Sequence, residues 1–158
     1  LDVESRDYKG RSVLSAAVAV GAVDIVKLLL HRCKNINLHS QDSMQFTPLH
    51  IAASTDLPSI PSLLSLLLHD PRTDPTLKNE SGGTPLHVAT SRGLEALVQL
   101  LLQHPNVDPN QPDGGGLTPL LTACDRGFDG IVKALLGHPR IKVNATDEQG
   151  WTPLNVAI

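Results

Sequence analysis

Leucine, isoleucine and valine gather in short clusters along this chain. The clusters are Ile25-Val26 with Leu28-Leu29-Leu30, Leu63-Leu64 with Leu66-Leu67-Leu68, Leu97-Val98 with Leu101-Leu102, and Ile131-Val132 with Leu135-Leu136. Apolar positions recurring at i, i+3 and i+4 draw one buried stripe on an α-helix. Ahead of each cluster lies a segment of smaller residues: Ala16-Ala17, Ala52-Ala53, Ala89-Thr90 and Ala123-Cys124. Short side chains let neighbouring helices approach closely. The pattern predicts helices in pairs, a slim first one and a leucine-rich second one.

Residues 84–118 set out one such pair in full. Thr84 can cap a helix with its hydroxyl, and Pro85 suits the first helical position, where no amide donor is needed. Leu86, Val88 and Ala89 then face inward. Gly93, nine residues after Thr84, ends this helix by taking a left-handed conformation. Glu95–Leu102 reads as the second helix, closed by His104-Pro105, and the loop from Asn106 to Gly116 leads to Thr118. Gly21 and Gly127 stand at the same nine-residue offset from Ser12 and Thr118. One unit departs from the rule. Asp56 replaces the glycine, and Leu57-Pro58-Ser59-Ile60-Pro61 adds about three residues. We expect that insertion in the turn between helices, with Pro61 opening the second helix.

Thr-Pro-Leu begins at Thr47, Thr84, Thr118 and Thr152, preceded by a worn copy, Ser12-Val13-Leu14, in steps of 35, 37, 34 and 34 residues. Two copies extend to Thr-Pro-Leu-His-x-Ala, at 47–52 and 84–89. A period near 33 residues with this hexapeptide resembles the ankyrin repeat family. The resemblance implies an all-α ankyrin-repeat solenoid of stacked helix-turn-helix units with projecting loop fingers. It would form a single domain over 1–158, with repeats at 7–41, 42–78, 79–112, 113–146 and a partial one at 147–158. No unit of a solenoid buries its apolar face alone, so stability comes from neighbours. The fifth unit stops within its first helix and the first has no clearly polar capping helix, so a segment of a longer array is expected.

Composition narrows the function. Apolar residues are 41% of the chain but aromatics only 3%, so the interior must be aliphatic. A net charge of −3, with no lysine or arginine run, argues against sequence-independent nucleic-acid binding. Cys33 and Cys124 are too few for a disulfide framework or a zinc site, and reduced thiols suit the cytoplasm or nucleus. No run reaches the ~18 apolar residues that a membrane span needs. Leu1-Asp2-Val3-Glu4 lacks the charge and apolar core of a signal peptide.

In the ankyrin family, the loop before each Thr-Pro-Leu projects as a finger, and fingers and first helices form a concave partner face. Carried onto this sequence, the residues just before the threonine or serine are Arg11, Phe46, Gly83, Leu117 and Trp151. Stacking would set them in a row about 8–10 Å apart, the spacing of packed helices. Tyr8 and Met44 lie on the same fingers, and aromatics, Met and Arg are enriched at interfaces. A second row, at the ends of the first helices, holds Val20, Thr55, Arg92 and Arg126. With Lys78 and Arg11, the two arginines could receive an acidic peptide by bidentate pairing. The candidate partner-binding residues are therefore Tyr8, Arg11, Met44, Phe46, Lys78, Arg92, Leu117, Arg126 and Trp151. Two plainer readings stay open: the aromatics as packing between fingers, and the arginines as a solvated helix end.

Other residues with chemical potential read as structural. In the family, the histidines matching His50 and His87 brace adjoining loops by hydrogen bonds; Leu121 and Asn155 replace them in later units. His31, His69, His104 and His138 fall at second-helix ends, where partial positive charge suits the dipole. Gly114-Gly115-Gly116 lacks the Lys-Ser/Thr of a phosphate-binding loop. Asp108, Asp113 and Asp147, and likewise Asn37, Asn110 and Asn144, suit local turn hydrogen bonds. The expectation is a non-catalytic scaffold, without cofactor or metal, that binds an acidic or apolar protein or peptide and is monomeric as a fragment. The alternative is a regulatory module of a larger enzyme or signalling ATPase whose catalytic domain lies elsewhere.

Overall fold

The computed structural model describes residues 5–156. Residues 1–4, which were read for a signal peptide, and residues 157–158, the end of the fifth unit, lie outside the described residues. The helices are α1 (Val13–Ala19), α2 (Val23–Arg32), α3 (Pro48–Ser54), α4 (Ile60–His69), α5 (Pro85–Ser91), α6 (Glu95–Leu102), α7 (Pro119–Asp125), α8 (Asp129–Leu136) and α9 (Pro153–Val156).

The first helices start and stop where capping chemistry puts them. Ser12, Thr47 and Thr118 accept amide hydrogen bonds from the residue three further on, at 3.3, 3.4 and 3.3 Å. Pro48, Pro85 and Pro119 fill the first helical position. At the far end Gly93 takes φ 71°. Its amide bonds Thr90 O and that of Leu94 bonds Ala89 O, both at 3.0 Å. This is the Schellman closure, which only a residue at ease with positive φ completes without strain. Gly21 and Gly127 close α1 and α7 the same way. Helix α3 has no such glycine. It exits through Thr55 in extended conformation, and the inserted residues fill the turn to α4. That helix begins at Ile60, one residue before the expected Pro61, which takes an early helical position.

First helices α1, α3, α5, α7 and α9 pack side by side in chain order, and α2, α4, α6 and α8 form a second row behind them. Between the rows lie Leu14, Leu49, Leu86 and Leu120 from the first layer and Leu64, Leu67, Leu101 and Leu135 from the second, all buried. Burying a leucine contributes about 1.5–3 kcal/mol, so each unit is held chiefly by the pair before it and the pair behind. The stripe read on α6, namely Leu97, Val98, Leu101 and Leu102, is its buried face. Phe128 lies over Gly93, where an added Cβ would stand 3.1 Å from the ring.

Candidate functional site

Each finger is a five-residue turn built on one side chain. Asp7, Asp42, Asn79, Asp113 and Asp147 stand five residues before the serine or threonine that starts each unit. In every case Oδ1 accepts the amides two and four residues ahead, at 2.8–3.1 Å. The fourth position turns with positive φ. Glycine holds it in four fingers and Gln45, at φ 58°, in the other. The Asp/Asn-x-x-Gly spacing was present in the sequence in four of the five units.

Amide bonds then join the finger tips. Ser43 N donates to Lys9 O at 3.1 Å, Glu80 N to Met44 O at 3.3 Å and Gly114 N to Ser81 O at 2.9 Å. Histidines tie the finger bases. His50 Nε2–H donates to Gly83 O at 3.1 Å, and His87 Nε2–H to Leu117 O at 3.2 Å. A carbonyl only accepts, so Nε2 carries the proton. Nδ1 is left bare to accept from Thr47 N–H at 3.3 Å and Thr84 N–H at 3.1 Å. Burial holds both histidines below the ordinary imidazole range, His50 at about 4. Leu121 cannot form this bond, while Asn155 keeps its local half by accepting from Thr152 N and Oγ1.

Against this frame the candidate residues separate. Met44, Phe46, Leu117, Arg92 and Arg126 line one groove of about 360 Å³ between fingers two to four and helices α5 and α7. Met44 is 58% exposed and Leu117 37%. Phe46 is half-buried and packs on His50, ring centroids 5.5 Å apart. Arg92 and Arg126 are exposed and cap the C-terminal ends of α5 and α7. The other four candidates lie outside that lining. Arg11 is paired with Asp7 of its own finger at 2.6 Å. Lys78 donates to Pro112 O at 3.3 Å. Tyr8 projects from the first finger with Lys9 Nζ over its ring. Trp151 stands half-exposed on the fifth finger.

Several bracing residues escaped sequence reasoning because each uses a carbonyl of the neighbouring unit, which no local pattern reveals. Arg72 chelates Asp70 at 2.6 Å and reaches Lys34 O at 2.7 Å. Arg140 reaches Val107 O at 2.6 Å. Arg6 and Gln41 each bridge their own finger to the residue before the next. Asn110 donates to Asp108 Oδ1 in its local turn at 3.2 Å, as expected, and also bridges forward to Lys142 N and Arg140 O at 2.6 and 2.8 Å. Asp108 and Asn37 do make the expected local bonds. Cys33 and Cys124 are free and half-buried, and burial raises the Cys124 thiol above its usual range. Among the described residues no cluster of three His, Cys, Asp or Glu could hold a metal ion, and no helix is long and apolar enough to cross a membrane.

Comparison with known proteins matches this architecture. The family described as "Ankyrin repeats (3 copies)" matches residues 1–79 and 97–158, and "Ankyrin repeat" matches 81–111. The chain belongs to the ankyrin repeat family, whose members generally mediate protein–protein interaction and are typically non-catalytic. It is also 32% identical, over 91 residues, to "Neurogenic locus notch homolog protein 1" of Danio rerio. That stretch is 58% of this chain and spans 4% of the relative's length.

Proposed function

We propose that this chain is a non-catalytic interaction scaffold whose protein partner lies in the groove between fingers two to four and helices α5 and α7. One observation carries the reading: Met44, Phe46 and Leu117 share a single concavity with Arg92 and Arg126. Aromatic residues, Met and Arg are the types enriched where proteins meet. The supporting walls are rigid, since finger tips and finger bases are bonded from unit to unit. A pre-organised face loses little entropy on binding. Tyr8 and Trp151 would be reached only by a partner long enough to run along the finger row.

The test is comparative affinity capture with the wild-type chain, Leu117→Asp in the groove, and Leu28→Asp on α2 in the outer layer. A genuine partner should fall at least tenfold with Leu117→Asp and persist with Leu28→Asp. The reverse pattern would move the site to the outer helices and refute the proposal.

A further inference from the structure

The groove has two chemically different walls. The finger wall is apolar and interrupted. Phe46 and Leu117 occupy equivalent positions in fingers two and four, and between them the row holds Gly83, which has no side chain. The result is a notch flanked by an aromatic and an aliphatic residue. The backbone does not require glycine there. Gly83 has no positive φ, and a Cβ would meet its nearest atom, His87 Cβ, at an ordinary 3.4 Å. The notch is thus a feature of this sequence and not a demand of the turn.

The helix wall is cationic. Arg92 and Arg126 hold equivalent positions that are Val20 and Thr55 in the earlier units, so the charge belongs to one half of the array. Four of the other five arginines are committed to the fold, Arg6 and Arg140 to carbonyls, Arg11 to Asp7 and Arg72 to Asp70, and the fifth, Arg32, is exposed at the end of α2 in the other helix row. Among the described residues neither Arg92 nor Arg126 has an ion-pair partner, even though Asp125 adjoins Arg126 in sequence. The one carboxylate in the lining, Asp113, has Oδ1 occupied by two finger amides. The groove therefore carries a local positive charge in a chain of net charge −3. Such contrast draws an anionic segment to this place and away from the rest of the surface.

Resting on the groove proposed above, we infer that its occupant is an extended segment in which acidic and apolar residues alternate. One apolar side chain enters the notch over Gly83, and the acidic side chains on either side of it reach Arg92 and Arg126. An extended chain sends successive side chains to opposite faces, which suits one apolar and one cationic wall. Residues i and i+2 stand about 6.4–6.8 Å apart, and neighbouring packed helices about 8–10 Å, a gap that flexible arginines span. Guanidinium–carboxylate pairs add bidentate geometry and direction.

The probe is a fluorescein-labelled octapeptide of alternating glutamate and leucine. Its controls are a peptide of the same composition with all glutamates before all leucines, and an alternating lysine–leucine peptide. Anisotropy should show binding of the first, weakened at least tenfold in either control. Arg92→Gln/Arg126→Gln should weaken it tenfold or more and flatten its salt dependence. Gly83→Leu, which supplies the side chain found at the equivalent Leu117, should block binding while leaving the melting temperature unchanged. Equal binding of the reordered peptide, undiminished binding by Gly83→Leu, or no binding of the alternating peptide at millimolar concentration would each overturn the inference. If the alternating peptide fails while a captured partner still depends on Leu117, only the occupant's chemistry falls. If the captured partner ignores Leu117→Asp, the groove itself falls.

Discussion

Mild acid should loosen the solenoid through His50. The ring is fully buried, donating from Nε2 to Gly83 O and accepting at Nδ1 from Thr47. Burial penalises the charged ring, so the folded state resists protonation until about pH 4, whereas the unfolded chain takes up the proton near 6.5. The folded value is depressed, so below pH 6.5 the unfolded state binds more protons and stability falls as pH falls. The loss accumulates between pH 6.5 and about 4 and then levels off. Applying that linkage from pH 7 to pH 5 gives a loss of about 2 kcal/mol for this one residue, and His87 adds to it in the same direction. The carboxylates held low, Asp7, Asp70 and Asp74, act in a separate window, below their ordinary 3.8. Urea unfolding followed by circular dichroism should show the midpoint dropping by roughly 1 M across this range, given slopes of about 1–3 kcal/mol per M. His50→Gln, which can still donate to Gly83 O, should lose much of that dependence. A wild-type midpoint equal at pH 7 and pH 5, or a His50→Gln variant as acid-sensitive as wild type, would refute the reasoning.

Three further outcomes follow from the bonding. Gly82→Ala should destabilise by more than about 2 kcal/mol, because positive φ strain is joined by a Cβ 2.5 Å from Gly114 N; Gly127→Ala, with φ +66° and nothing within 4 Å, should cost about 1 kcal/mol, both read by urea melts. Arg72→Ala should cost about 1–2 kcal/mol through its lost carbonyl and carboxylate bonds, and an NMR titration should find the Asp70 carboxyl returned toward 3.8. Amide exchange of Gly150 and Trp151 should be faster than that of Gly82 and Gly83, whose finger is tied at tip and base; equal protection would contradict the bracing scheme.

Helix positions were legible because they depend on local rules. Threonine, proline and glycine at fixed offsets specify where a first helix begins and ends, and the extent read for α6, Glu95–Leu102, is the one observed. At α4 the reading was one residue off, since a proline fits more than one position in the first turn. The candidate site was only partly legible. Residue type and repeat register picked out Met44, Phe46, Leu117, Arg92 and Arg126, which share a lining. They did not show that Lys78 is bonded within the scaffold, because a lysine binding a backbone carbonyl leaves no mark on sequence, nor that Arg11 is spent on Asp7 of its own finger. Nor did they show the notch over Gly83, which exists only as a missing side chain between two present ones.

The bracing and the candidate site divide the same repeat between them. Positions that repeat spend their polar groups on the scaffold: the Asp/Asn of each finger on amides of its own turn, and the histidines of α3 and α5 on a carbonyl of the next unit. Positions that vary are left facing the groove, where Gly83 replaces a bulky residue and arginine replaces valine or threonine. A solenoid can therefore change its recognition surface without altering the bonds that stack it, as long as those bonds come from other residues. At Leu121 the division breaks down. The base bond to the fifth finger is missing, and Trp151 O keeps only its own turn's amide from Asp147 at 3.1 Å. Trp151 thus sits on the one finger among the described residues whose predecessor unit lacks both a basal histidine bond and an amide bond at the tip. Its position relative to Arg126 is set by helix packing of α7 on α9 and not by the ladder that fixes Phe46, Gly83 and Leu117. The hydrogen bonds between fingers therefore run from the first to the fourth and stop before the fifth, and the proposed groove lies within that braced stretch.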